Sequence, residues 1–178
     1  MIHLQLYLIL VFFLITPFMA NGQSLDPEEI TQKTLTLERL KGEPLPRFEV
    51  TDLQGQKLDS QAMVGKVLVL NFWFIGCKPC TEEMPELNKI VAEQSSDEVV
   101  FLAFGLDSSH RIEGFLEGHP FHYRLIPNSR DYASQTLGVV MYPTHVVVDK
   151  RGIVQYVHVG YGTGAMAKLK RALKKALK

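Results

Sequence analysis

Hydrophobic and polar residues divide the chain into an apolar leader and a series of short, alternating elements. Residues 6–15 form an unbroken apolar run, and small polar residues follow it at 20–22. Further along, residues 66–74 and 98–106 are nearly continuous runs of β-favouring residues. Runs of this kind are typical of strands that are buried on both faces, so these two predict the centre of a sheet.

Helical periodicity and turn residues predict further elements around these two strands. Before the first strand, residues 24–40 predict a helix that Asp26 caps and Pro27 begins. Residues 48–51, a turn around Gly55 and a second short strand predict a β-hairpin. The elements expected after Cys77 are, in chain order, a helix from about 79 to 94, the strand at 98–106, a helix at 109–118, a short strand at 121–126, a helix at 129–138, strands at 144–149 and 152–160, and an amphipathic helix at 164–178.

This order of elements predicts the fold class. Alternating strands and helices in the first half indicate parallel strands joined by right-handed crossovers. The late pair of strands is joined by a tight turn at Gly152, so the other edge of the sheet is expected to be antiparallel. The chain is therefore expected to be an α/β protein whose mixed central sheet is flanked by helices on both faces.

We divide the chain into residues 1–22, 23–40 and 41–178, which we interpret as a signal peptide, a lead-in helical arm and a single α/β domain. The apolar run and the small residues after it predict cleavage following Gly22. Because no Lys or Arg precedes the run, an uncleaved membrane anchor through residues 2–20 is the alternative. In both cases the domain is expected outside the cytoplasm, in the periplasm or cell envelope, where disulfides persist.

Composition and charge add little to this picture. The chain is 46% hydrophobic and 21% charged, and its formal net charge is zero. That balance gives no indication of nucleic-acid binding, and we expect a monomer. The terminal helix is basic, with six Lys or Arg residues and no acid after Asp149. Such a helix suits an anionic membrane, but a solvated face with cations near a helix C-terminus is the interpretation that we favour.

Cys77 and Cys80 are the only cysteines in the chain. A zinc site usually needs four ligands, and no second cysteine pair or close histidine pair supplies the other two, so we expect no metal. A purely structural disulfide is also disfavoured, because so short a loop removes little entropy from the unfolded chain. The pair therefore favours thiol–disulfide exchange.

The position of the two cysteines also fits exchange. Cys77 follows a buried strand and opens a helix, where unpaired backbone N–H groups and the helix dipole favour a thiolate. Cys80 lies one turn inside the helix and is expected to be more buried. Cys77 would then attack a substrate disulfide, and Cys80 would resolve the mixed disulfide. Lys78 either adds positive charge or points into solvent, and Pro79 fixes φ where its missing N–H costs little.

Three motifs resemble the extracytoplasmic thiol–disulfide oxidoreductases of the TlpA/ResA type. "NFWFIGCKPCTEEMP" at 71–85 looks like their active site, "LPRFEVTDLQGQKL" at 45–58 like their N-terminal hairpin, and "YPTHVVVDKRGIV" at 142–154 like their cis-proline segment. The resemblance covers about residues 41–177. It implies a thioredoxin-like fold with an N-terminal β-hairpin extension and no cofactor. It also implies protein thiol or disulfide substrates and an upstream electron donor, for which a membrane-bound protein is one candidate.

The resemblance also implies roles for individual residues. Cys77 matches the nucleophile of the family and Cys80 its resolving cysteine. Pro143 matches the cis-proline that helps to bind the substrate backbone, and Tyr142 would line the same groove. Glu83 matches a carboxylate near the resolving cysteine, where it would carry the proton of that thiol; a solvated helix carboxylate is the alternative.

Other positions support the site or depart from the pattern of thioredoxins. Trp73 matches the aromatic residue beneath the site, and Pro85 the proline that bends the helix. Cytoplasmic thioredoxins carry a buried acid where Asn71 stands and a tryptophan where Gly76 stands. Asn71 cannot exchange a proton, which leaves Glu83 as the expected carrier, and Gly76 opens the approach for substrate.

Two other functions remain as alternatives on the same fold. A thiol peroxidase places a threonine three residues before its attacking cysteine, and Phe74 holds that position here. The other is a non-catalytic, metallochaperone-like binding module, and two retained cysteines one turn apart argue against an inactive site. His145 is expected to begin a strand, and tuning of a nearby thiolate is its alternative role. We therefore predict an enzyme that reduces disulfides of cell-envelope proteins.

Overall fold

The computed structural model describes residues 26–94 and 96–178. The expected signal peptide or anchor lies outside these ranges, so it stays a prediction. Within the described ranges, every helix is too short or too polar to cross a membrane.

Helices and strands alternate through the described chain, as the residue pattern predicts. In chain order they are α1 (Pro27–Glu38), β1 (Glu49–Thr51), β2 (Lys57–Asp59), a 3-10 turn (Ser60–Met63), β3 (Val67–Trp73), α2 (Lys78–Gln94), β4 (Val99–Gly105), α3 (Ser109–Leu116), β5 (Arg124–Ile126), a π-helical turn (Tyr132–Thr136), β6 (Thr144–Val148), β7 (Val154–Val159) and α4 (Ala165–Ala176).

The main sheet has the strand order β5-β4-β3-β6-β7. β3 is parallel to β4, and β4 is parallel to β5. β6 is antiparallel to both β3 and β7. The mixed sheet is therefore confirmed, and its two continuous apolar runs occupy central positions because a central strand is covered on both faces.

Alternate residues of β3 supply two separate hydrophobic cores. Val69 and Trp73 face the core that contains buried residues of α2 and α4. Leu70 and Phe72 face the opposite core. Asn71 lies on the same face as Val69 and Trp73 and is a buried polar residue in this strand. A buried amide needs hydrogen-bond partners, so this position marks a polar cluster beneath α2.

The segment before the sheet packs onto the second face. Asp26 caps α1 by accepting a hydrogen bond from Glu29 N (2.7 Å), and Pro27 begins the helix, as expected. Leu37 of α1 is buried in the second core. β1 and β2 form the expected antiparallel hairpin. The predicted lead-in helix and hairpin therefore cover one face of the sheet.

One helix is shorter than the sequence predicts. The segment 129–138 contains a single π-helical turn, Tyr132–Thr136. Gly138 follows it with φ of +74°, a conformation that ends helical structure and that glycine adopts without steric cost.

An ion pair between the buried Asp52 and the partly exposed Arg124 joins the hairpin to β5. Asp52 is 4% exposed, and its carboxylate accepts a hydrogen bond from Arg124 Nε (2.5 Å) and others from Gln54 N and Gln56 N. Burial by itself raises the pKa of Asp52, but these hydrogen bonds and the Arg124 charge outweigh it, so the pKa lies below its ordinary value. Asp52 therefore stabilises the fold in its ionised form.

We expect Asp52→Asn to lower the free energy of unfolding by about 2 kcal/mol at pH 7, because Arg124 loses a charged partner. A carboxyl whose folded pKa is depressed contributes stability above its unfolded pKa, near 3.9, and that contribution is lost as the pH falls through the folded value. The difference between mutant and wild type should therefore shrink below about pH 4. Urea unfolding across pH measures this difference, with the exposed Asp97→Asn as control. A difference that is constant with pH would contradict the ionised role.

Candidate active site

Cys77 and Cys80 form a disulfide where β3 ends and α2 begins. Cys77 directly precedes the first residue of α2, and Cys80 lies in its first turn. Cys77 is 5% exposed and Cys80 is 1% exposed, so Cys77 is the more accessible of the two sulfurs. The order of accessibility agrees with the expected order of attack.

The first turn of α2 directs a backbone donor at Cys77. Cys80 N lies 3.3 Å from Cys77 Sγ and donates to it. Thr81 N donates to the Cys77 carbonyl (3.1 Å), which starts the helical hydrogen-bond ladder. Cys77 therefore occupies a capping position, where helix N–H groups and the helix dipole stabilise negative charge on its sulfur.

The loop that carries Cys77 is held by an aspartate after β4. Asp107 Oδ2 accepts a hydrogen bond from Ile75 N (2.7 Å). Its other oxygen pairs with Arg111 at 2.6 Å, and the Asp107 side chain is 9% exposed. Sequence reasoning missed this residue. An acid that directly follows a buried strand at the sheet edge where Cys77 emerges was the available signal.

A second loop meets the cysteine loop at the same end of the sheet. The Tyr142–Pro143 peptide bond is cis. In the antiparallel register, Thr144 pairs with Phe72, so Pro143 lies level with the end of β3. The rings of Tyr142 and Phe74 meet edge to face at 5.4 Å. Pro143 and Tyr142 are thus placed beside the cysteine loop.

Hydrogen bonds fix the shape of this second loop. Thr144 Oγ1 donates to the Met141 carbonyl (2.7 Å), and Gly160 N donates to the Pro143 carbonyl (2.7 Å). Met141 is 43% exposed, and Tyr142 is partly buried. The segment around Pro143 is therefore held by two hydrogen bonds to its main-chain carbonyls, and Met141 and Tyr142 give it an apolar surface.

Gly76 and Trp73 lie on opposite sides of the cysteine loop. Gly76 is exposed and has φ of +90°, and a Cβ there would meet no atom within 4 Å. A glycine suits this conformation, and it leaves the approach to Cys77 open. Trp73 is fully buried and packs against Phe115 and Phe121, with ring centroids 5.5 and 5.9 Å away. It belongs to the hydrophobic core that also contains both cysteines.

Glu83 is buried on the same face of α2 as Cys80. It is 3% exposed, and residues three apart on a helix lie on one side. Asn71 Nδ2 donates to Glu83 Oε1 (3.1 Å). His145 Nε2 lies 3.0 Å from Oε1 and 3.2 Å from Oε2. Glu83 is therefore not the solvated carboxylate that sequence reasoning kept as an alternative.

A cleft connects this buried carboxylate with solvent. It has a volume of about 250 Å³ and lies between α2 and the loop that precedes α4, with Glu82, Glu83, Glu86 and Tyr161 among its lining residues. Pro85 also lies in this part of α2, and it has no N–H to donate to the carbonyl one turn back. Glu83 therefore borders a cleft that is open to solvent.

Sequence reasoning did not connect Asn71, Glu83 and His145. The signal was present, since Asn71 and His145 are polar residues within apolar strand segments. They are direct partners in the antiparallel register of β3 and β6. His145 follows the first residue of β6, close to its expected place at the strand start. In the described ranges, no three His, Cys, Asp or Glu side chains converge to form a metal site.

Comparison with known proteins identifies relatives of this site and fold. The model of the AhpC/TSA family matches residues 41–157. Thioredoxin-like protein YneN of Bacillus subtilis is 30% identical over 124 residues, which are 67% of this chain and 72% of that protein. Thiol-disulfide oxidoreductase ResA of Bacillus thuringiensis is 32% identical over 114 residues, 64% of this chain and 66% of that protein.

A solved structure is similar to the described fold. A putative thiol:disulfide interchange protein DsbE from Chlorobium tepidum superimposes with a TM-score of 0.71 at 25% sequence identity. The match covers 78% of this chain and 98% of that one. The expected thioredoxin-like architecture, including its mixed sheet, is confirmed by this similarity.

Proposed function

The chain belongs to the AhpC/TSA family, and from that premise we propose that it is a thiol–disulfide oxidoreductase acting on protein disulfides through Cys77 and Cys80. The observation that carries the proposal is the disulfide at the N-terminus of α2, with a helix N–H directed at Cys77 Sγ. That donor stabilises the thiolate needed for attack and the thiolate released on reduction.

In the forward cycle, the Cys77 thiolate attacks one sulfur of a substrate disulfide. A mixed disulfide forms, and the other substrate sulfur leaves as a thiolate. Cys80 then loses its proton and attacks Cys77 Sγ, which forms the Cys77–Cys80 disulfide and releases the second substrate thiol. An upstream dithiol donor restores the reduced enzyme by the same exchange in reverse.

Glu83 is the proposed acceptor of the Cys80 proton. It shares the buried face of α2 with Cys80, and the cleft beside it leads to solvent. The apolar surface formed by Tyr142, Pro143 and the exposed Gly76 is the proposed binding site for the substrate chain. Phe74 occupies the position of a peroxidase threonine and packs on Tyr142, so the site lacks the hydroxyl that a thiol peroxidase places there.

A direct test is reduction of insulin by the protein in the presence of dithiothreitol, together with measurement of its reduction potential. We expect turnover and a potential in the reducing half of the range from about −270 mV to −120 mV. Absence of insulin reduction combined with tight copper binding would support a metallochaperone instead. A potential near −120 mV would reverse the proposed direction of electron flow.

The proposed location is extracytoplasmic, in the periplasm or cell envelope. Its support is the apolar run at residues 6–15 and a thiol pair that forms a disulfide. Secretion would place the site where oxidised substrates occur. Fractionation of the native host, with N-terminal sequencing of the mature chain, distinguishes cleavage after Gly22 from a retained anchor.

We expect Glu83→Gln to slow the second step of exchange by about a hundredfold at neutral pH, because an amide cannot accept the Cys80 proton. Reaction of the reduced protein with DTNB separates the steps. Attack by Cys77 releases one thionitrobenzoate, and attack by Cys80 on the mixed disulfide releases the second. The matched control is Glu82→Gln, which alters the neighbouring half-exposed carboxylate. Equal second-phase rates in both variants would remove Glu83 from the mechanism.

A further inference from the structure

The hydrogen bonds around Glu83 involve His145 as closely as they involve Asn71. The side chains of His145 and Glu83 are 1% and 2% exposed, and His145 Nε2 lies 3.0 Å from Glu83 Oε1. Asn71 Nδ2 is 3.1 Å from Glu83 Oε1 and 3.4 Å from His145 Nδ1. Three buried polar side chains from β3, α2 and β6 therefore form one closed cluster.

Donor and acceptor types decide how the protons are arranged in this cluster. The Asn71 Nδ2 group can only donate, so the Nδ1 atom of His145 that faces it acts as an acceptor. The Nε2 atom of the same ring then carries a proton, which points at Glu83. The opposite orientation of the Asn71 amide would set its oxygen against Glu83 Oε1, which places two acceptors together. Glu83 thus receives two donors, and both complement its carboxylate form.

We propose that His145 is a positioning residue that, together with Asn71, holds Glu83 in the ionised state in which it accepts the proton of Cys80. This inference rests on the proposed disulfide exchange. During the second step, the proton moves from Cys80 Sγ to Glu83, the Cys80 sulfur bonds to Cys77 Sγ, and the substrate sulfur leaves with the bonding electrons. His145 keeps its own proton throughout.

The other titratable groups near Glu83 are uncharged at neutral pH or lie outside the cluster. Tyr123, just before β5, is buried, and burial followed by the charge of Glu83 raises its pKa. It therefore remains a neutral phenol. Cys80, on α2 itself, is bonded to Cys77 in the oxidised state. Neither group therefore brings a charge that alters the hydrogen bond between His145 and Glu83.

On the other side, His158 of β7 is the register partner of His145. Their rings lie nearly parallel with centroids 6.5 Å apart. Burial lowers the pKa of His158, and His145 and Lys168 lower it further, while Glu83 and Glu38 oppose this shift. His158 is therefore neutral at physiological pH and does not repel a proton on His145. His158, which is partly buried, offers a control histidine in the neighbouring strand.

The test uses full-length protein and the second phase of the DTNB reaction as a function of pH. His145→Asn removes the donor at the Nε2 position, whereas the amide of His145→Gln reaches that position. We expect His145→Asn to move the acid-side midpoint of the second phase upward by about one pH unit, a tenfold loss of rate below the midpoint. We expect His145→Gln and the control His158→Asn to keep the wild-type profile.

Three results would overturn the proposal. The first is a wild-type profile in His145→Asn, and the second is an equal shift in His145→Gln, which would implicate charge or packing instead of donation. The third comes from the double variant Glu83→Gln/His145→Asn, which should react no more slowly than Glu83→Gln alone; a further loss would show that His145 acts without Glu83.

Failure of the proposed exchange gives a different result from failure of this inference. If wild type releases only one thionitrobenzoate per molecule, Cys80 does not resolve the mixed disulfide, and both proposals are wrong. If the His145 variants release two and their pH profiles coincide with that of wild type, exchange stands and only the role of His145 is wrong. Far-UV circular dichroism shows whether each variant is folded. If His145→Asn does not fold, the pH profile of His145→Gln still tests the hydrogen-bond donor.

Discussion

Cys77→Ser is expected to abolish insulin reduction completely, down to the rate of dithiothreitol alone. Cys77 is the more exposed of the two cysteines, and the first turn of α2 directs a backbone N–H at its sulfur, which favours a thiolate. A serine hydroxyl is not ionised at neutral pH by this environment and does not displace a sulfur from a disulfide. No other cysteine exists in the chain to replace it except Cys80, which is 1% exposed.

Cys80→Ser is the matched comparison for that experiment. It keeps the attacking sulfur and removes only the resolving one, so it should form a mixed disulfide once and then stop. Expression of Cys80→Ser in the native host would therefore trap substrates covalently on Cys77. Non-reducing gels followed by mass spectrometry identify them. If Cys77→Ser traps partners and Cys80→Ser does not, the two roles are reversed.

Trp73→Ala is expected to lower the free energy of unfolding by about 3–5 kcal/mol. The indole is fully buried between the sheet, Phe115 and Phe121, in the same core as both cysteines. Its removal leaves a cavity directly beneath the active-site loop, and a loss of this size is a large share of the about 5–15 kcal/mol that stabilises a typical domain. Because Trp73 is the only tryptophan, unfolding should be followed by far-UV circular dichroism.

Val64→Ala provides a contrast for the tryptophan substitution. Val64 is 65% exposed, so its truncation should change the unfolding free energy by about 0.5 kcal/mol or less. Trp73→Phe, which keeps an aromatic ring in the core, should lose less stability than Trp73→Ala. A loss below about 1 kcal/mol for Trp73→Ala would show that the indole does not support the site as proposed.

Local signals predicted much of the fold and the chemically reactive pair. Continuous apolar runs predicted β3 and β4, because a central strand buries both faces. Asp26 and Pro27 predicted the start of α1. The π-helical turn at Tyr132–Thr136 was predicted as a longer helix, since local periodicity does not report where tertiary packing stops a helix.

The environment of Glu83 depended on contacts between distant segments. The residue pattern placed Glu83 one turn after Cys80, and the resemblance suggested a proton carrier. Its partners Asn71 and His145 lie 12 and 62 residues away along the chain. Asp107, which anchors Ile75, lies 32 residues from it. Pairs at such separations follow from strand register and helix packing, and a single sequence records neither.

Local sequence is sufficient to predict two thiols one turn apart at the start of a helix, because helix geometry and the helix dipole act within a few residues. The surroundings of these thiols follow from contacts between segments that are distant in the chain. Folding brings Glu83, Asn71 and His145 into one buried cluster from three elements. Away from water, the hydrogen bonds among these side chains determine which of their atoms carry protons. The proposed transfer of the Cys80 proton to Glu83 therefore depends on the fold, whereas the capacity for exchange depends on the local sequence.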